Sequence, residues 1–248
     1  MMKRGLVFFL SLLAFNLSYA EALRVAVASN FVQPAKVLAD QFAQQHGIRM
    51  DIISGSSGKL LAQIQHGAPF DIFLSADQQK PAALIASGHG LADSRFTYAR
   101  GQLVLWSLSD AADVKARLMA GNFRHLALAN PRLAPYGQAA AETLAALGIS
   151  ESTQDKWVMG ENIAQTWHFV QSGNAELGFV AQSQVMVDGE VRQGSVWRVP
   201  DSLHKPVLQD AVLLSRAKDN AAAQQFMRFL RSAQAQKVIT AYGYGQPL

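Results

Sequence analysis

The run LRVAVASN, Leu23 to Asn30, decides the fold. Leu23 to Ala28 is apolar except for Arg24 and reads as a buried strand. Ser29-Asn30 then precede a helical segment that carries Pro34 near its start, Leu38 and Phe42 on one face, and Gly47 just past its end. A strand that feeds straight into an amphipathic helix is the repeating step of a parallel sheet. The step recurs at once. Met50 to Ile53 reads as the next strand, Ser54 to Gly58 as a loop, and the residues after it as a helix with Leu60, Leu61 and Ile64 inside and Gly67 as its stop. Phe70 to Leu74 reads as a third strand, followed after Asp77 by a helix that ends near Gly88.

A second set of units begins with the strand Gln102 to Trp106. It continues with the strand His125 to Ala129, a helix from Gly137 to Leu147, the strand Trp157 to Met159, a helix from Asn162 to Val170 and the strand Leu177 to Val180. The chain returns through Val207 to Leu214 and closes with helices over Asn220 to Arg231 and Ala233 to Tyr242. The expected organisation is therefore two α/β lobes. Residues 21–100 and 206–248 form the first, and residues 101–205 form the second.

Ahead of these units, Lys3 and Arg4 lead into an apolar stretch from Leu6 to Phe15 that closes on Ser18-Tyr19-Ala20. Basic start, apolar middle and small-residue end are the order of an export signal, so residues 1–20 are expected to be removed and the mature chain to begin at Glu21. The apolar stretch is shorter than the roughly 20 residues that span a bilayer. The chain has no cysteine, which excludes a lipoprotein, disulfides and thiolate metal ligands. Loss of residues 1–20 takes away Lys3 and Arg4 and no acidic residue, lowering the net charge from +4 to +2. That balance gives no support to nucleic-acid binding, which needs basic residues massed on one face. With 50% hydrophobic residues, stability comes from apolar burial.

Hydroxyls recur where strands meet helices. Ser29 with Asn30, and Ser57 with Gly58, each stand at such a junction, where the first helical turn leaves backbone N–H groups unpaired and the helix dipole is positive. Two readings are open: ordinary N-caps, for which serine is favoured, or donors aimed at an anion in the crevice beyond the strand ends. The second lobe has two more junctions, Pro135-Tyr136-Gly137 before one helix and Glu161-Asn162-Ile163 at the start of another. Each alone reads as a turn or a capped helix.

Taken with specific motifs, the chain resembles the periplasmic molybdate-binding proteins of molybdate uptake ABC transporters. The resemblance rests on VASN at Val27 to Asn30, GSSGK at Gly55 to Lys59, GAPFDIFLSAD at Gly67 to Asp77, GENI at Gly160 to Ile163, His204-Lys205-Pro206, and Tyr242-Gly243-Tyr244. It implies a type II periplasmic binding protein fold, with each lobe a mainly parallel sheet flanked by helices and the two hinged by crossover strands. It also implies a non-enzymatic protein that holds molybdate or tungstate without a cofactor and docks as a monomer on an inner-membrane permease. The implied oxyanion site is the Ser29 hydroxyl with Asn30 beside it, Ser57 through hydroxyl and backbone, and the backbone N–H groups of Tyr136 and Ile163. Ser29 and Ser57 would meet molybdenum only through its oxygens, with no direct metal coordination. One departure stands out: where some members carry a ligand-reaching tyrosine, this chain has Ala181. The phenol of Tyr136 is the alternative donor to its backbone.

Among the charged residues, Lys59 reads either as a solvated helix residue or as a weak attractor of anions. Asp71 and Asp77 are expected to serve the fold, Asp77 as a cap, and Glu161 to point away from the ligand. His204-Lys205 reads as a return loop or as part of a docking surface. A serine hydrolase built on Ser56 or Ser57 lacks the Gly-x-Ser-x-Gly elbow. His46, His66, His89, His125, His168 and His204 show no metal-ligand spacing. GSSGKL is too short for a nucleotide phosphate loop. Sulfate, phosphate or an organic anion remain as other ligands of the same kind of site.

Overall fold

The computed structural model describes residues 22–110 and 113–246. The export signal expected over residues 1–20, and the cleavage point before Glu21, lie outside the described residues. The chain begins β1 (Leu23–Ala28), α1 (Val32–His46), β2 (Met50–Gly55), α2 (Ser57–Gln65), β3 (Ile72–Leu74), α3 (Gln79–Ala86) and β4 (Phe96–Gly101). It then runs β5 (Leu103–Ser107), α4 (Val114–Met119), β6 (Leu126–Ala129), α5 (Pro135–Ala146), α6 (Ser150–Thr153), β7 (Trp157–Gly160), α7 (Ile163–Gln171), β8 (Leu177–Ala181) and α8 (Gln182–Val185). A short hairpin of β9 (Met186–Val187) and β10 (Glu190–Val191) leads to β11 (Ser195–Arg198). The chain ends with β12 (Val207–Leu213), α9 (Ala221–Leu230) and α10 (Ala233–Ala241).

Two five-stranded sheets result, ordered β2-β1-β3-β12-β4 and β11-β5-β8-β6-β7. β1 lies between two parallel neighbours, with Val25 facing Ile52 on one side and Ile72 on the other, which explains its nearly unbroken apolar run. The expectation of mainly parallel sheets needs one correction, because half of the pairings in each sheet are antiparallel. β12 enters from the other lobe and runs against both β3 and β4, while β5 runs against both β8 and β11.

The first sheet packs against α1, α9 and α10 through Leu38 and Phe42, Phe226 and Leu230, and Ile239, all buried. In α9 the buried residues Ala223, Phe226, Met227 and Leu230 recur at helical spacing, which turns one stripe inward. The second sheet builds its own core from Leu105, Leu126, Leu128, Leu144 and Phe179. The helix at α1 ends where Gly47 adopts φ +68, a left-handed conformation that costs glycine little. The chain passes between the sheets twice, from β4 to β5 at Gly101–Leu103 and from β11 to β12 through His204. No helix of the described residues is long and apolar enough to cross a membrane.

Candidate functional site

All five residues singled out from the sequence, Ser29, Asn30, Ser57, Tyr136 and Ile163, line one cavity between the two sheets. Three helices, α2, α5 and α7, begin there. A count of their first-turn amides shows what each one offers.

At α2 the cap is Ser56, whose Oγ accepts from Lys59 N at 3.3 Å; Ser57 is the first helical residue, not the cap. Gly58 N donates to Leu133 O at 2.9 Å. The amide of Ser57 is left over. Ser57 Oγ accepts from Ala76 N at 3.0 Å, so its own hydrogen is available to donate. At α5 the helix starts at Pro135, earlier than its glycine suggests, because proline has no N–H to lose at the first position. Gly137 N and Gln138 N both donate to Ala134 O, at 2.9 and 3.1 Å. The Tyr136 amide remains. At α7 Asn162 Oδ1 accepts from Ala164 N at 3.0 Å and Gln165 N at 3.1 Å, and the amide of Ile163 remains. Each of the three helices therefore presents one amide with no partner among the described residues, and all three residues line the same cavity.

Ser29 is not a cap either. It opens a short 3-10 turn, Ser29–Phe31, whose cap is Ala28, and its Oγ makes no hydrogen bond among the described residues. The capping readings of Ser29 and Ser57 thus fail, and both hydroxyls are spare donors. Asn30 is different. Its Nδ2 donates to Gln209 Oε1 at 2.9 Å and to Tyr244 Oη at 3.0 Å, so both side-chain hydrogens are committed. Only its backbone N–H is left to serve a ligand.

The Tyr136 phenol accepts from Gln209 Nε2 at 3.2 Å. Burial pushes the phenols of Tyr98, Tyr136 and Tyr244 above their ordinary range, so they stay neutral and add no negative charge beside the cavity. Ala181 is fully buried, and its N–H donates to Gln184 Oε1 at 2.9 Å while Gln184 Nε2 donates to Ile163 O at 3.0 Å. Through Gln184 the chain ties the end of β8 to the residue that opens α7.

Lys59 and Glu161 face each other across the mouth of the cleft at 2.9 Å, each half exposed. The Glu161 carboxylate thus turns to Lys59, and Lys59 is spent on it. Asp71 serves the fold, accepting from Arg24 N and Arg216 Nη1, each at 2.8 Å. Asp77 accepts from Lys80 N at 3.0 Å, capping α3 from two residues before its first residue, Gln79. His204 is buried with Nδ1 against Lys205 O at 2.7 Å, and Lys205 N donates to Glu142 Oε2 at 2.8 Å. No group of three or more His, Asp or Glu able to hold a metal ion is present among the described residues. The sequence reading missed Gln209, which is fully buried and touches Asn30, Tyr98 and Tyr136. Its signal was the polar pair Gln209-Asp210 inside an apolar strand.

Two α/β lobes facing each other across a donor-lined cavity have the layout of a protein that captures a small solute. The chain belongs to the bacterial extracellular solute-binding protein family, whose sequence pattern matches residues 23–245. It is similar to the molybdate-binding protein ModA of Azotobacter vinelandii, 49% identical over 228 residues that cover 91% of this chain and 90% of the relative. The ModA of Rhodobacter capsulatus is 43% identical over 220 residues, 88% of this chain and 86% of the relative. Among solved structures, the periplasmic molybdate-binding protein of Azotobacter vinelandii matches with a TM-score of 0.87 at 40% identity, covering 91% of this chain and 100% of the other.

Proposed function

We propose that this protein binds molybdate, and tungstate with it, in the periplasm and delivers the oxyanion as a monomer to the permease of an ABC transporter. The observation that carries the reading is the set of three leftover amides, Ser57, Tyr136 and Ile163, which meet in one cavity together with the free hydroxyls of Ser29 and Ser57. The resemblance to the molybdate-binding relatives supplies the ion. Residues 21–100 with 206–248 act as one lobe and residues 101–205 as the other, so Ser29, Asn30 and Ser57 approach the ion from one side and Tyr136 and Ile163 from the opposite side.

A shell of donors without a cation suits a fully deprotonated dianion, because charge-assisted hydrogen bonds are strong and every oxygen of the ion is an acceptor. Phosphate near neutral pH carries a proton that needs an acceptor; the amides offer none, and a serine hydroxyl that turns to accept that proton gives up its own donation to the ion, so protonated phosphate is held by fewer bonds. Sulfate matches the charge but is smaller, leaving the opposed donors too far away. Calorimetric titration with molybdate, tungstate, sulfate and phosphate tests the reading. Tight binding of the first two with rejection of the last two is expected, and phosphate bound as tightly as molybdate refutes it.

A further inference from the structure

Gln209 sits on β12 at the point where its register against β4 shifts, and it is fully buried. Its Oε1 accepts from Asn30 Nδ2 at 2.9 Å and from Tyr98 Oη at 3.0 Å, and its Nε2 donates to Tyr136 Oη at 3.2 Å. Asn30 adjoins Ser29 on the first lobe, and Tyr136 carries the leftover amide of α5 on the second. One side-chain amide therefore holds a residue from each half of the proposed shell. The contact leaves no slack: a Cβ built on Gly101 would overlap the Tyr136 hydroxyl and stand 2.6 Å from Gln209 Nε2, so phenol and amide rest on bare backbone where the chain crosses between lobes.

We propose that Gln209 is a positioning residue that locks the closed form: its bond to the Tyr136 phenol is made as α5 settles on β12, and it slows release of the ion without touching it. This rests on the oxyanion-binding reading above. In the open form water reaches both groups, so losing the phenol oxygen leaves nothing unpaired. In the closed form Tyr136→Phe strands the Gln209 Nε2 donor in a buried site, where an unsatisfied group is expensive. The penalty falls on closure alone.

The experiment measures association and dissociation rates for molybdate, and the melting temperature without ligand, in the parent, Tyr136→Phe, Gln209→Met and the double variant. Tyr136→Phe is expected to raise the dissociation rate about 5- to 150-fold, with the association rate and the unliganded melting temperature unchanged. The double variant is expected to release molybdate no faster than Gln209→Met alone, since the stranded donor is gone. Losses that multiply place the phenol on the ion itself and overturn the proposal, as does a drop in unliganded melting temperature for Tyr136→Phe. If Gln209→Met does not fold, Gln209→Leu replaces it in the cycle, because leucine likewise carries no donor for Tyr136→Phe to strand. The same failure to multiply is then expected. A parent that binds no molybdate overturns the functional reading and this one together; a parent that binds with multiplying losses overturns only the role of Gln209.

Discussion

Gly58→Ala is expected to move stability and affinity in opposite directions. Gly58 is the second residue of α2, and its backbone has no positive φ, so alanine fits the helix and removes conformational freedom from the unfolded chain. Within the first lobe alone the change stabilises by up to about 1 kcal/mol, which raises the unliganded melting temperature by about 2–4 °C for a chain of this size. Across the cleft the same methyl group meets Leu133, at 2.9 Å from its carbonyl oxygen and 3.2 Å from its Cα. These are backbone atoms, which cannot rotate away, and the 2.9 Å hydrogen bond from Gly58 N to Leu133 O is strained with them. Overpacking of this kind costs about 1–3 kcal/mol, so the closed complex should weaken by about 5- to 150-fold. Calorimetric unfolding of the unliganded protein and titration with molybdate read the two effects separately. Unchanged affinity would show that the lobes do not meet at Leu133 when the ion is bound. A lower unliganded melting temperature would show that the lobes are already shut without it.

Ser57→Ala and Ser29→Ala each remove a hydroxyl from the proposed shell, and the loss of a hydrogen bond to a charged group, about 1.5–3 kcal/mol, should weaken molybdate binding roughly 10- to 150-fold by titration. Lys59→Met breaks an exposed pair with Glu161 worth about 0.2–1 kcal/mol, so dissociation should quicken by no more than about 5-fold, with the difference fading as salt is added. The buried phenols of Tyr98, Tyr136 and Tyr244 have pKa values raised by desolvation. The folded state therefore keeps protons that the unfolded chain gives up near pH 10; their contribution is intact below about pH 10 and is lost as the pH climbs above it. Unfolding midpoints measured from neutral to strongly alkaline pH should be insensitive to these groups at first and then fall. Tyr98→Phe should reduce the fall.

Much of the fold was legible because β1, β3, β6 and β8 are buried on both faces and show it as short apolar runs. The helices between them carry their own stops, such as Gly47, Gly67 and Gly88. What escaped was one edge strand of each sheet, β4 and β11, with the short hairpin of β9 and β10, while the opposite edges β2 and β7 were read. β4 contains Thr97 and Arg100 and borders the sheet, and β11, on the edge of its own sheet, is only partly buried, so neither has an apolar signature. Strand direction was hidden as well. Nothing in Val207 to Leu213 says that it will run against its neighbours, since that depends on which lobe the chain returns from. At the site, Ser29, Ser57, Tyr136 and Ile163 were legible as junction residues. Their freedom to donate was not, because it depends on partners distant in sequence: Ala76 occupies the Ser57 lone pair, Leu133 takes the Gly58 amide, and Asn162 satisfies two amides of α7 and spares a third. Asn30 shows the same lesson with the opposite result, its side chain being claimed by residues 179 and 214 positions away.

The division of donors between lobes ties affinity to closure. Ser29 and Ser57 hang from the sheet that contains β1, while Tyr136 and Ile163 open helices that follow strands of the other sheet. An ion that enters the open cleft meets only one side of the proposed shell, and the bonds from the opposite side are gained only as the lobes close. By linkage, those late bonds are the differential affinity that shifts the population toward the closed form, and a ligand that failed to reach both sides would shift nothing. An arginine on one lobe would break this logic, since it would hold a dianion tightly before closure and resist its departure after opening. The half-exposed Lys59 avoids that effect because Glu161 on the other lobe neutralises it when the cleft shuts. Closure thus gathers dipoles around the ion without adding net charge, and opening disperses them, which is what a carrier that must both capture and release its ion requires.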